Sequence, residues 1–163
     1  MPKPYERALT QAEIAAMPAV LPTRAARLVD AEHWASKLAR LIGRGPQIVV
    51  RGERIFWPGA PDDMSRDSAL MALLAHELTH IWQYADGMTL LRYLWRERGV
   101  YAYRLDGRSF PAYGYEQQAA IIEDWVRLSH GLPPRWQVQS NRVASPASSR
   151  SGARVRKTGT LRT

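Results

Sequence analysis

The sequence contains no cysteine. Disulfide bonds and thiolate-ligated metal sites are therefore excluded, and any bound metal must take histidine, aspartate or glutamate ligands. No stretch approaches the roughly 18 apolar residues that a membrane-spanning helix needs. The N-terminus has no apolar core of a secretory signal, so we expect a cytoplasmic protein, although export by a route that reads no such signal stays open.

The net charge of +8 is concentrated at one end of the chain. Residues 142–163 contain five Arg, one Lys and no acid, and subtracting their +6 leaves +2 for residues 1–141. The 163 residues are 45% hydrophobic, enough for the core of a single domain, but the basic end has almost nothing apolar. We therefore predict one folded domain over 1–141 and a disordered basic tail over 142–163. Because the tail lacks aromatic residues, we predict that it does not bind nucleic acid specifically.

The most informative stretch is His76-Glu-Leu-Thr-His80, an H-E-x-x-H motif. It lies in residues 68–86, which have no proline or glycine and are rich in helix-forming residues. Positions four apart on a helix differ by about 40°, so both histidines leave one face and can bind one Zn²⁺. Glu77 lies about 100° further round, where it can act as a general base without being a ligand. The alternative is a core helix with two hydrogen-bonded histidines.

A catalytic zinc site usually has three protein ligands, so a third is expected here. Asp86 follows the motif, but it can reach the metal only if the helix breaks, and His130 follows a separate helix. Glu116 and Glu123 lie seven apart on a second predicted helix and therefore share nearly one face. Glu116 is favoured because it begins a Glu-x-x-Ala turn, whose small residue allows two helices to approach closely.

Several other polar residues are candidates for supporting roles. If Glu116 is the third ligand, Glu123 or Asp124 can hold a ligand histidine through its second ring nitrogen. Gln83, one turn beyond the motif, is predicted either to contact substrate or to hold a loop. Three tyrosines are candidate hydrogen-bond donors to a developing oxyanion: Tyr103, Tyr113 and Tyr115.

The rest of the pattern predicts an α+β fold that is mainly α-helical, with short β-hairpins. A capping box at Thr10 and Glu13 predicts a short first helix. Two β-rich runs around Gly52 predict a hairpin before the motif helix, whose edge either accepts an extended substrate or serves packing alone. Further predicted features are a strand at 27–29, helices over 30–42, 89–98 and 116–129, an N-cap at Ser65, a C′ residue at Gly87 and a second hairpin at Asp106-Gly107.

Four segments together carry a family resemblance: Leu9-Thr-x-x-Glu-Ile14, His76-Glu-Leu-Thr-His-Ile-Trp-Gln83, Tyr101-x-Tyr-Arg-Leu105 and Tyr115-Glu-Gln-Gln-Ala-x-Ile-x-Glu-Asp124. They resemble the Vgr-related bacterial proteins, small zinc metallopeptidases, and metallopeptidase-like domains linked to contractile injection and secretion systems. The resemblance covers roughly residues 7–130, except that 22–45 depart from the pattern.

This resemblance implies a zincin-like domain acting on a peptide or protein substrate. It implies zinc held by His76, His80 and Glu116, with Glu77 as the catalytic residue. The expected reaction is hydrolysis of a peptide bond by a zinc-activated water, with Glu77 as its general base. The alternative is a catalytically weak or inactive zincin-like adaptor or binding component associated with a bacterial secretion or contractile injection system.

Removal of the basic tail tests the predicted domain boundary. A chain ended after Asn141 should keep its melting temperature and its metal, because the tail has no His, Asp or Glu and only three large apolar residues. Its retention on heparin should fall sharply, since its net charge is +2 in place of +8. A melting temperature many degrees lower would show that the tail packs against the domain.

Overall fold

The protein combines helices with one mixed sheet, so the predicted α+β class is confirmed. In this computed structural model, the described residues are 5–41, 47–89, 91–93 and 100–138. The predicted tail lies outside them, as does most of the helix predicted over 89–98. The elements are β1 (Tyr5–Ala8), α1 (Gln11–Ala16), β2 (Arg27–Asp30), α2 (Trp34–Leu41), β3 (Val49–Arg51), β4 (Arg54–Phe56), α3 (Ser68–Ala85), a 3₁₀ turn (Phe110–Ala112) and α4 (Tyr115–Ser129).

The sheet places one strand of a hairpin at its edge. The strand order is β1-β2-β4-β3, with β2 and β4 parallel and the outer pairs antiparallel. The hairpin predicted around Gly52 is confirmed as β3 and β4, and this glycine has a left-handed φ of 58° at the turn. Because β4 pairs with β2 on its other side, β3 becomes the edge strand and packs beside α3.

A buried ion pair joins the N-terminal elements to the loop before α3. The capping box is confirmed, since Thr10 Oγ1 accepts from Glu13 N at 3.1 Å and a Glu13 oxygen accepts from Thr10 N at 2.8 Å. The fully buried Glu13 carboxylate also accepts two hydrogen bonds from Arg7, at 2.8 and 2.9 Å, and one from Met64 N at 3.0 Å. Burial opposes its ionisation, but these donors outweigh burial and lower the pKa of Glu13.

The ends of α3 are fixed by two different caps. The predicted N-cap at Ser65 is wrong: Asp67 caps the helix by accepting two backbone N–H groups, at 2.9 and 3.0 Å. The hydroxyl of Ser65 instead donates to an aspartate two residues earlier. The prediction for Gly87 is confirmed, because it has φ 88° just past the helix and Met88 N donates to Gln83 O at 2.9 Å.

The apolar core lies between the sheet, α3 and α4. The two helices pack directly on each other, and both carry fully buried alanines. No helix within the described ranges is both long and apolar enough to cross a membrane. The largest fully buried apolar side chains are Leu28, Ile55, Met64, Met71, Leu74 and Leu78.

The second hairpin prediction is wrong. The turn itself is present, with Gly107 at φ 84° and Asp106 accepting from the backbone N–H of Arg108. The residues after it form the 3₁₀ turn, and the residues before it pair elsewhere: Tyr103 bridges Gln137 in parallel. A long-range backbone pairing has therefore replaced the local one that the turn signal indicated.

Loss of the buried carboxylate should destabilise the fold strongly. Glu13→Ala leaves the guanidinium of Arg7 and two backbone N–H groups without their acceptor, which should cost about 3–5 kcal/mol in the free energy of unfolding. The exposed Glu53→Ala is the control. Because the pKa of Glu13 is lowered in the fold, its contribution is present above the ordinary value of 4.5 and is lost as the pH falls through the folded-state pKa. Urea unfolding at pH 7 and pH 3 measures both effects; equal stabilities of Glu13→Ala and Glu53→Ala would contradict the assignment.

Candidate metal centre

Two imidazoles and one carboxylate converge between α3 and α4. His76 Nε2 lies 3.3 Å and His80 Nε2 lies 3.4 Å from the same oxygen, Glu116 Oε2. The three ligand atoms lie within 4.8 Å of one another, and these side chains are shielded from solvent. Two imidazole nitrogens and a carboxylate oxygen form a donor set that fits a divalent metal ion. The group could therefore hold a metal, and it contains the three residues predicted as ligands.

Each histidine is held through its second ring nitrogen, which leaves Nε2 directed at the shared site. His76 Nδ1 lies 3.0 Å from Glu123 Oε2, and a carboxylate there accepts the Nδ1 proton. His80 Nδ1 lies 2.8 Å from Gln83 Oε1. The amide nitrogen of Gln83 donates to Tyr115 O at 2.9 Å, which makes its oxygen the acceptor for His80. Both imidazoles thus carry their neutral-form proton on Nδ1 and offer the Nε2 lone pair to a metal.

Glu123 and Asp124 have different tasks. The sequence predicts that either Glu123 or Asp124 holds a ligand histidine. Glu123 contacts His76, whereas Asp124 contacts neither His76 nor His80. Asp124 is buried and accepts hydrogen bonds from the hydroxyl of Tyr103, at 3.0 Å, and from the backbone N–H groups of residues 135–137. It therefore holds the segment that follows α4 against that helix.

The remaining ligand alternatives lie away from this group. Asp86 and His130 are exposed residues at the C-caps of α3 and α4. The motif helix continues past His80 to Ala85 without a break, so Asp86 has no route to the site. The described residues therefore bring together His76, His80 and Glu116 alone of the predicted ligands.

The group forms the floor of a cleft of about 620 Å³. The cleft is lined further by β3 and the start of α2, and by Tyr93, Tyr101 and the segment after α4. Glu77 also lines this cleft and is otherwise buried. The sequence pattern therefore predicted the residues at the floor of the cleft. It did not indicate Tyr93 or Trp136, which also line the cleft, because no local spacing links them to the motif.

The three candidate tyrosine donors lie elsewhere. The hydroxyl of Tyr103 is bonded to Asp124, and that of Tyr113 donates to Arg104 O at 2.9 Å. Tyr115 contributes its carbonyl oxygen to Gln83, and none of the three lines the cleft among the described residues. The tyrosines that do line it are Tyr84, Tyr101 and Tyr93, whose hydroxyl donates to Glu116 Oε1.

Without a metal, the buried charges compensate one another. Burial disfavours protonation of His76, but hydrogen bonds to Glu116 and Glu123 outweigh it and raise its pKa to about 10. Burial would raise the pKa of Glu116, yet the hydrogen bonds with His76 and His80 hold it well below its ordinary value. Burial also raises the pKa of Glu77, while the neighbouring histidines partly oppose that rise. A carboxyl with a raised pKa is a stronger base, as general-base catalysis near neutral pH requires.

Comparisons with protein-family models, curated proteins and solved structures find no match to this chain. The resemblance to the Vgr-related proteins therefore stays a sequence-based expectation. What the structure adds is the convergence of two imidazoles and a carboxylate at the floor of the cleft.

Metal binding should release protons. A histidine with a pKa near 10 is protonated at pH 7, and it must lose that proton to offer a lone pair. The stability from this protonation is complete below the ordinary value of 6.5 and is lost as pH rises through about 10. The metal-free protein is titrated with zinc in a calorimeter, in buffers of different ionisation enthalpy. The observed binding enthalpy, plotted against the ionisation enthalpy of the buffer, should therefore have a non-zero slope. A slope of zero would mean that His76 is neutral before the metal arrives.

Proposed function

We propose that this protein is a zinc-dependent metallopeptidase with a zincin-like site. The observation that carries the proposal is the buried convergence of His76 Nε2, His80 Nε2 and Glu116 Oε2 beside Glu77 in an open cleft. Two imidazoles and a carboxylate on a helix pair, with a glutamate next to the first histidine, are typical of His₂Glu zinc peptidases. The Nδ1 partners Glu123 and Gln83 support it, since metal-binding histidines are regularly oriented in this way.

The proposed chemistry divides between the metal and the chain. Bound zinc would supply Lewis acidity toward a water molecule and a substrate carbonyl. Glu77 would accept the proton of the attacking water at its carboxylate and pass that proton to the nitrogen of the leaving amine. Burial suits Glu77 to both tasks, because a raised pKa favours taking the proton and the adjacent imidazoles keep the carboxyl able to release it.

A peptide is the substrate class that the shape of the cleft favours. β3 is an edge strand with β4 as its strand partner among the described residues, and all three of its residues line the cleft. The backbone groups of an edge strand can pair with an extended chain, while its side chains contact alternate substrate residues. A scissile bond held in this way would lie across the floor, beside Glu77.

Substitutions of the floor residues separate the ligands from the base. Glu77→Gln should keep zinc and lower hydrolysis by about 10²-fold or more, because the ligands stay and the base is lost. His76→Ala, His80→Ala and Glu116→Ala should each lose most of the zinc. Asp86→Ala is the matched acidic control, and it should keep both zinc and activity. Zinc content comes from metal analysis of purified protein, and cleavage from N-terminal peptide profiling of a lysate treated with wild type or Glu77→Gln.

Two outcomes would contradict this assignment in different ways. Full zinc occupancy in both His76→Ala and His80→Ala would show that these histidines do not hold the metal, and would contradict the proposed site. Zinc-loaded wild type that produces no new N-termini beyond those of Glu77→Gln would favour the adaptor alternative, in which the fold and the metal are kept without activity.

A further inference from the structure

The chain after α4 returns to the candidate metal centre. Residues 133–138, called here the return segment, are clamped from two sides. Asp124 accepts the backbone N–H groups of residues 135–137, with those of Trp136 and Gln137 at 2.9 and 3.0 Å. On the other side, Val138 N donates to Tyr103 O at 2.8 Å and Tyr103 N donates to Trp136 O at 3.3 Å. This clamp fixes the backbone of Trp136 relative to α4.

The indole of Trp136 reaches the carboxylate that holds His76. Its Nε1–H donates to Glu123 Oε2 at 2.8 Å, and the same oxygen lies 3.0 Å from His76 Nδ1. The indole stacks on Tyr101 with ring centroids 4.8 Å apart, and the ring of Tyr101 lies 5.9 Å from that of His76. The indole of Trp136 therefore donates a hydrogen bond to Glu123, the partner of His76. It also stacks on Tyr101, whose ring lies beside that of His76.

The return segment also engages the other oxygen of Glu123. The guanidinium of Arg135 lies 3.7 Å from Glu123 Oε1 and sits over the Trp136 ring at 4.5 Å. Both oxygens of Glu123 are thereby turned toward the return segment and His76. Glu116 Oε2, by contrast, faces both histidines.

We propose that Trp136 is a positioning residue for the metal centre, which fixes Glu123 so that Glu123 orients His76 and leaves Glu116 as the third ligand. This inference rests on the proposed metal-binding role of His76. A glutamate side chain has several rotatable bonds, so one hydrogen bond from His76 alone would leave its carboxylate several orientations. The indole N–H removes that freedom, because a second donor on the same oxygen fixes its direction. Loss of the partner that orients a ligand histidine typically lowers metal affinity by about 10–100-fold.

The test compares conservative variants of the full-length chain. Trp136→Phe keeps a ring that can stack on Tyr101 but removes the N–H donor. Trp136→His keeps an N–H at the equivalent ring position, because Nε2 of imidazole and Nε1 of indole occupy the same place in a five-membered ring. Trp125→Phe is the matched control, since Trp125 lies on α4 with 53% of its surface exposed.

Two measurements distinguish positioning from a purely structural role. Zinc affinity is measured by competition with a chromophoric chelator, and the visible absorption of the cobalt-substituted protein reports the geometry of the ligands. Trp136→Phe should bind zinc about 10-fold more weakly and change the cobalt spectrum. Trp136→His should bind more tightly than Trp136→Phe, and Trp125→Phe should match wild type.

The outcomes separate this inference from the proposed function. Wild-type protein that binds no zinc would overturn the metal centre and this inference with it. Wild type that binds zinc, together with a Trp136→Phe variant of equal affinity and unchanged cobalt spectrum, would overturn the role of Trp136 alone. If Trp136→Phe does not fold, Trp136→His decides: affinity near the wild-type value supports the positioning role, and a 10-fold loss despite a folded domain overturns it.

Discussion

Glu116 Oε2 lies 3.3 Å from an imidazole nitrogen of His76 and 3.4 Å from one of His80, and this approach depends on how closely α3 and α4 pack. Both helices carry fully buried small side chains. Ala75 precedes the motif on α3, and Ala119 follows Glu116 by one turn on α4. A larger side chain at either position would have to displace its neighbours, since protein interiors have few voids. The ligand distance is therefore a property of the helix interface rather than of the motif alone.

The charges at this interface explain why such a cluster is tolerated in a core. Three glutamates and two histidines are buried together, and an unpaired buried charge is strongly unfavourable. Without a metal, burial disfavours protonation of both histidines, but the neighbouring carboxylates outweigh burial and raise the pKa of each. A divalent cation that displaces two imidazole protons brings the same charge of +2 that those protons carried, so the net charge of the cluster does not change. A bound metal can therefore replace the protons without adding an uncompensated charge to the core.

How far the sequence predicts this arrangement depends on the range of the interactions. The capping box at Thr10, the hairpin at Gly52 and the C′ glycine at position 87 are local, and each was predictable from a few neighbouring residues. The spacing of His76 and His80 predicted their shared face for the same reason. The hairpin expected at Asp106-Gly107 does not form, because Tyr103 pairs instead with a residue 34 positions further on. No periodicity encodes such a partner, so the return segment and its indole were beyond sequence reasoning.

The distinction between Glu116 and Glu123 as third metal ligand also depends on long-range contacts. The two side chains lie two turns apart on one helix face, and both contact His76, one at Nε2 and the other at Nδ1. Helical spacing therefore places both carboxylates beside His76, and spacing alone does not distinguish the metal ligand from the residue that orients the histidine. The distinction arises from what else surrounds each carboxylate: His80 stands beside Glu116, whereas Trp136 and Arg135 stand beside Glu123. The role of each glutamate is thus set by residues outside α4, one of them on α3 and the others beyond the helix end, which makes the ligand set a consequence of tertiary structure.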